Sequence, residues 1–465
     1  MKFKSQPIEI PNEDPFRNDV LDRRPAVEFL TDLVLKIDPP FVLCIDSPWG
    51  TGKTTFLRMW ERYLSDRQVE TLYFNAWETD FAEDPLLAFV SEICEFTESR
   101  LAERSSPNAK KLDRAKHIAS AIARRVLPVA GKLATAGLLD LDSFTESALA
   151  ELTEESIKNA TDAYLAEKNL IRKFHDSLES LVKTLPKQDG QPMLLILVDE
   201  LDRCRPNYAV ELLERIKHLL NVKNVMFVLA LDKSQTQVSL STIYGREFEA
   251  TEYLRRFIDL EFRLPEPNVE KFTKHLLNEL GLEECFSQRT HSEFRFDKEQ
   301  LEDVFNGLSR LFGFSLRARE QCFTRIRMAI LSVPDNHYLH PMLLVTLVVL
   351  RTVATDVYRK FMSNSGGASD VINFFRSQEG GVTFLNSHSG RVVEAYLIGV
   401  KRGHRESSPE YLEHQRISSD DGAAEEERER ASFILGVLGE FRFRDRLPRL
   451  EAIASTIELS GRIER

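Results

Sequence analysis

The segment Ser47-Pro-Trp-Gly-Thr-Gly-Lys-Thr-Thr55 constrains this chain more than any other. It follows FVLCID (41–46), a continuous apolar run of strand formers, and it precedes FLRMWERYL, which reads as a helix opening near Thr54. Strand, glycine-bearing turn and helix in that order make the GxxxxGK[ST] phosphate-binding loop. Gly50 and Gly52 let backbone amides turn inward with no Cβ in the way. The helix N-terminus adds its own amides and partial positive charge. Lys53 is expected to reach the β and γ phosphates and the Thr54 hydroxyl to ligate magnesium, with Thr51 and Thr55 completing the nucleotide-binding set. Position 47 is Ser where the pattern has its first Gly, a departure from the pattern more than from the chemistry.

A second motif supports the first. In Leu194–Val198, five apolar residues deliver Asp199 and Glu200 at the C-terminal tip of a strand, where ligands bind in a doubly wound sheet. Asp199 is expected to hold magnesium through its water shell and Glu200 to polarise the attacking water. That is the arrangement of the ATPase branch with an additional central strand and a catalytic glutamate. Asp202 and Arg203 read as a surface ion pair, with Arg203 alternatively bracing the acids or facing a neighbouring subunit.

Further strands are expected at TLYFNAW (71–77), PMLLILVDE (192–200), VMFVLALD (225–232) and IDLEFRL (258–264). Helices fall between them, over DVLDRRPAVEFLTDLVLKI with its apolar Val27, Leu30, Leu33 and Leu35, over 85–185, and over 207–220. The alternation predicts an α/β fold with a mainly parallel sheet covered on both faces. The expected organisation is a nucleotide-binding domain over 1–265 with a helical insert at about 85–190, a helical lid over 266–362, and a C-terminal helical region over 363–465. Within the last, 403–430 carries nine acids against four arginines and reads as a charged, solvated loop.

Composition narrows the partners. The 465 residues carry 62 Lys and Arg against 73 Asp and Glu, a net charge of −11, so the chain is no generic basic DNA coat. The densest basic run, Leu101–Arg125, holds seven Lys or Arg against two acids and is the one candidate contact for DNA. Five dispersed cysteines without a CxxC pair point to reduced thiols and a cytoplasmic location. The N-terminus has no apolar signal-peptide core. Val126–Leu139 is broken by Pro128 and Lys132 and is too short to span a bilayer, and LVTLVVLRTVA (344–354) reads as a buried helix, so no membrane span is expected. His337 and His340 fit no metal-binding spacing.

VDELDRCRPNYAVELLERIKHLLNVKNVMFVLALDKSQ (198–235) resembles the extended acidic-strand region of the KAP family of P-loop NTPases. The tryptophan of PWGTGKTT, the string YFNAWETD (73–80) and YLRRFIDLEFRLP (253–265) resemble further blocks in the family's order. The resemblance implies the ASCE-type P-loop fold, binding of ATP with Mg2+ rather than GTP, and ATP-dependent conformational work. It includes a phage-exclusion protein and animal membrane scaffolds, so it implies a mechanism more securely than a pathway. It carries roles to Lys53, Thr54, Asp199 and Glu200, where the family often has Asp at the last. It also places Asp232 as a γ-phosphate sensor and Arg256 as an arginine finger or sensor, with Arg255 beside it, and Arg317 and Arg319 as second sensors. Asn75 and Trp77 are expected to pack and position the strand tip. Three functions are consistent with these residues: an ATPase switch with a protein partner or in a homo-oligomer, a nucleotide-gated scaffold with little turnover, and a DNA-associated motor.

Overall fold

A computed structural model describes residues 8–82, 84–103, 172, 175–176, 178–183, 185, 187–188, 191–216, 221–287, 297–333, 340–363, 365–401, 408–444 and 450–458. Two compact units divide at the 266/267 junction: Ile8–Glu266, and the residues from Pro267 onward.

The first unit opens with α1 (Arg24–Val34). Asp19 Oδ2 accepts the backbone N–H groups of Arg23 (2.6 Å) and Arg24 (3.1 Å), satisfying donors that a helix start leaves orphaned. Pro25 supplies a pre-set φ in the first turn. The buried stripe of α1 is Ala26, Val27, Leu30 and Val34, and the expected Leu33 and Leu35 pack, partly buried, against the same core.

The sheet comprises β1 (Phe41–Asp46), β2 (Glu70–Asn75), β5 (Leu194–Asp199), β6 (Val225–Leu231) and β7 (Leu260–Arg263), with a separate two-stranded ladder of β3 (Lys187–Gln188) and β4 (Gln191–Pro192). Its order is β2-β5-β6-β1-β7, and every pairing is parallel. Strand β6 therefore lies between the phosphate-loop strand β1 and the acid-bearing strand β5. The strands are shorter at their ends than the apolar runs suggested, since residues such as Ala76 and Trp77 already belong to turns.

Alternation along the strands builds two cores. Val42, Cys44, Phe74, Ile196, Val198, Phe227 and Leu229 face one side, against Phe89 of α3 (Pro85–Glu103) and Leu212 and Leu213 of α4 (Pro206–Ile216). Leu43, Ile45, Leu195, Leu197, Met226 and Val228 face the other, against Val27 and Leu30 of α1 and Phe56 and Trp60 of α2 (Lys53–Ser65). Trp60 is wholly buried, and its indole N–H donates to Thr31 Oγ1 at 2.9 Å, which removes the penalty of an unpaired buried donor. Two short helices, α5 (Lys233–Tyr244) and α6 (Ala250–Leu254), join β6 to β7. Most of the expected insert, with Val126–Leu139 and nearly all of the basic run, lies outside the described residues, as do 217–220 at the end of the helix expected over 207–220.

In the second unit the described residues form helices: α7 (Val269–Glu279), α8 (Leu282–Ser287), α9 (Asp297–Leu311), α10 (Leu316–Ser332), α11 (Pro341–Val353), α12 (Thr355–Met362), α13 (Ala368–Arg376), α14 (Gly381–Asn386), α15 (His388–Val400), α16 (Pro409–Ser418), α17 (Glu425–Arg444) and α18 (Leu450–Glu458). Helix α11 is buried from Pro341 to Leu350, consistent with its all-round apolarity. Among the described residues no helix is long and apolar enough to cross a membrane. The expected solvated loop over 403–430 is corrected: it contains α16 and the start of α17. Ser408 caps α16 by accepting the Tyr411 N–H (3.1 Å), with Pro409 next in line. Glu425, Glu426 and Glu427 occupy the first turn of α17, where negative charge is favoured by the helix dipole. Residues 402–407 lie outside the described residues.

Candidate nucleotide-binding site

The loop leaves β1 as a continuation of the sheet, with Ser47 N donating to Leu231 O at 3.2 Å. The Ser47 and Thr51 hydroxyls share a hydrogen bond of 2.7 Å, and Thr51 Oγ1 donates to Pro48 O at 2.8 Å. Serine thus closes the loop where the motif has glycine. Gly50 and Gly52 hold φ values of 75° and 89°, a region that side chains disfavour, and α2 starts directly at Lys53. Lys53 is 9% exposed. Its ammonium donates to Ser47 O (2.5 Å) and Pro48 O (3.3 Å) and stands 3.5 Å from Asp202 Oδ2.

The acidic strand tip lies two strands away, across β6. Register pairs Asn75 with Asp199 on one side and Asp199 with Ala230 on the other, so the tips of β2, β5 and β6 are level. Asp199 is fully buried; it accepts the Tyr73 hydroxyl (2.7 Å) and the Glu200 N–H (2.8 Å). Burial raises its pKa above the usual carboxylate range against the lowering effect of these hydrogen bonds. Tyr73 is in turn covered by Arg58, whose guanidinium lies 3.3 Å from the ring centroid. Glu200 adopts a left-handed backbone (φ 61°), strained for a residue with a side chain and retained here at the centre of the site. Its Oε1 meets Thr54 Oγ1 at 3.4 Å and Arg203 Nη1 at 2.5 Å. Burial raises the Glu200 pKa, Arg203 opposes that rise, and the neighbouring Asp199 reinforces it.

Asp202 escaped the sequence reading. It is no surface partner of Arg203: it is buried, and its Oδ2 accepts the Trp49 indole N–H (2.8 Å) and the Asp232 N–H (2.6 Å) as well as facing Lys53. It ties the phosphate loop to the tips of β5 and β6. Asp232 lies at that junction too: its Oδ2 accepts the Trp49 N–H (3.1 Å), and its Oδ1 caps α5 through Gln235 N (3.2 Å). Asp232, expected as a γ-phosphate sensor, thus serves as the strand-terminal helix cap that its place after β6 also allowed. Sequence offered one signal for Asp202, its place in the block that also holds Asp199, Glu200 and Arg203.

The loop after β2 and the start of α4 are joined by Asp80 and Arg205 (Nε to Oδ1, 2.9 Å) and by Thr79 and Tyr208 (2.9 Å between hydroxyls). Asn75 accepts the Trp77 N–H (3.1 Å) and shapes that turn, whereas the Trp77 ring is exposed, with Arg203 5.8 Å from its centroid. Thr55 is half-buried in the first turn of α2.

Of the arginines expected as finger or sensors, Arg255 and Arg256 belong to the same unit as this site, and Arg317 and Arg319 to the helical unit. Arg256 is exposed, its guanidinium 5.8 Å from the Tyr253 ring, and it precedes β7. Because Leu260 pairs with Leu43 in parallel and Val42 N donates to Asp259 Oδ2 (2.8 Å), Arg256 belongs to the edge of the sheet where β1 begins. The phosphate loop is at the other edge, about 20 Å of strand away. Arg255 is exposed and paired with Glu252 at 2.5 Å. Arg319 is buried inside the helical unit, donating to Thr273 Oγ1 (3.1 Å) and Asn306 Oδ1 (3.4 Å), and Arg317 is exposed.

The residues present fit a magnesium nucleotide. Glycines in left-handed conformation and a helix N-terminus offer amides to phosphate, and Lys53 stands in the loop. Thr54 Oγ1, Asp199 and Glu200 supply hard oxygen donors, and both acids have raised pKa values that a cation would offset.

The sequence model of the KAP family P-loop domain matches residues 23–330. The phage T7 exclusion protein of Escherichia coli (strain K12) is 22% identical over 243 residues, covering 51% of this chain and 32% of that protein. The chain thus spans about a third of the length of this curated relative.

Proposed function

This chain belongs to the KAP family of P-loop NTPases, and from that premise we propose that it binds MgATP at residues 50–55 and hydrolyses it to drive a conformational switch. One observation carries the reading: the tips of β1, β5 and β6 bring Lys53, Thr54, Asp199, Glu200 and Asp232 together around one loop.

Lys53 and the loop amides would hold the β and γ phosphates and oppose their charge. Thr54 and Asp199 would hold Mg2+, which when bound neutralises charge on the phosphates. Glu200, deprotonated, would accept a proton from the water that attacks in line, and Arg203 at 2.5 Å keeps that carboxylate aimed and charged. As a finger, Arg256 at the opposite sheet edge would serve a second copy of the chain, which makes a homo-oligomer part of the proposal. ATP over GTP rests on the family, and a setting in phage defence on the relative's name alone. A cytoplasmic location rests on the dispersed cysteines, of which Cys44, Cys204 and Cys322 are buried free thiols.

The test is phosphate release from the purified chain with ATP, with and without Mg2+, and with and without DNA. Release that EDTA abolishes supports the ATPase. ATP binding without release under every condition favours the nucleotide-gated scaffold. Strong stimulation by DNA, falling steeply with salt, would favour the motor.

A further inference from the structure

Arg23 immediately precedes α1, yet it is among the most buried side chains of the chain, 2% exposed. Its Nη2 donates to Thr51 O at 2.8 Å, and its Nη1 donates to Pro265 O. Among the described residues no carboxylate hydrogen-bonds this guanidinium, and its Nε has no partner. The turn before it is built to bury it: Asp19 accepts the N–H groups of Leu21 (3.1 Å) and Arg23 (2.6 Å), and Asp22 is held at φ 56°. A buried cation satisfied by carbonyls alone is an expensive feature to maintain for packing, because a guanidinium loses strong hydration on burial.

Its contact explains the burial. Thr51 is the residue between the two left-handed glycines, and its carbonyl belongs to the same planar peptide as the Gly52 N–H. In a trans peptide the C=O and the N–H point in opposite directions. Holding Thr51 O against Arg23, on the outer wall of the loop, turns the Gly52 N–H to the inner wall, where a phosphate would lie.

We propose that Arg23 is a positioning residue for the polyphosphate: it fixes the Thr51–Gly52 peptide with its N–H facing inward, and through Pro265 anchors that peptide to the chain leaving β7. This rests on the reading of the loop as a nucleotide site. The anion brought to the inner wall would add to the counter-charge of Asp19, which acts against the effect of burial on the guanidinium without hydrogen-bonding it. Binding of phosphate then tightens both ends of the clamp, the loop and the β7 exit.

Calorimetric titration of the full chain with MgADP tests this in wild type, Arg23→Gln and Arg23→Lys. Arg23→Gln should weaken binding about tenfold or more at unchanged stoichiometry, and Arg23→Lys, which keeps the charge, should recover part of the loss. A purely structural role would lower the stoichiometry, the folded fraction, while leaving the dissociation constant within about twofold, and that result overturns the proposal. Should Arg23→Gln not fold, hydrogen exchange on wild type decides. MgADP should protect segments 19–24 and 260–266 along with the loop, and protection confined to 47–55 overturns the proposal. If wild type binds no MgADP, the nucleotide reading itself falls, an outcome distinct from an Arg23 variant that binds normally.

Discussion

At the scale of single residues, the site is a set of carboxylates placed where water would be preferred. Asp199 is fully buried with a raised pKa, so the folded state holds its proton more tightly than the unfolded chain does. The sign follows: its contribution favours folding at acid pH, and stability falls as pH rises from the ordinary aspartate range through the folded value. Asp199→Asn should therefore stabilise the first unit at neutral pH, by about 1 kcal/mol, while abolishing magnesium-dependent phosphate release. Thermal melts at pH 5 and pH 8 check this, since the gain should shrink at the lower pH. Glu200 must be deprotonated to act as a base, and its raised pKa puts the acid limb of the rate profile above the usual glutamate value of 4.5. Arg203 counters that rise, so Arg203→Ala should move the acid limb to higher pH; an unchanged or lower inflection in kcat against pH would count against the ion pair's role. Asp202→Ala leaves Lys53, the Trp49 indole and the Asp232 amide without their shared acceptor. It should destabilise the unit by about 3 kcal/mol in chemical denaturation, as expected for breaking a buried charged contact.

At the scale of elements, what sequence made legible was whatever local pattern determines. Strands β1, β5 and β6 were visible as apolar runs because a strand buried on both faces leaves few polar residues to interrupt it, whereas β7, at the sheet edge, is mostly exposed and carries Glu261 and Arg263. The loop was visible because its chemistry needs glycine at positive φ. Arg203 beside Asp202 looked like a pair because neighbours in sequence suggest it, whereas Asp202's actual partner Trp49 lies 153 residues away. Partner choice over that distance is set by the meeting of strand tips, which spacing does not encode. The charged segment after 408 was misread for a related reason: counts of acids and arginines say solvated, but the capping serine and the acidic first turn say helix. Close backbone packing was equally invisible. A Cβ at Gly390, in the first turn of α15, would lie 1.9 Å from Phe384 O, so Gly390→Ala must displace α14 from α15. A loss of about 2 kcal/mol or more in the helical unit is expected from denaturant midpoints.

At the scale of the whole molecule, the family match runs from Arg23 to Ile330 and so crosses the 266/267 junction, taking in the sheet unit and the helices α7–α10. What the family shares therefore extends past the sheet unit into the first helices of the second, and the match starts at the residue whose guanidinium grips the loop. The division of labour within the site is the central claim: Lys53 holds the nucleotide, Glu200 turns it over. The most direct measurement takes wild type, Lys53→Ala and Glu200→Gln, and determines MgATP binding and phosphate release on each. The account predicts that Lys53→Ala loses binding, and that Glu200→Gln binds with wild-type affinity or tighter while releasing phosphate at least about 100-fold more slowly. Wild-type release from Glu200→Gln, or undiminished binding by Lys53→Ala, would contradict it.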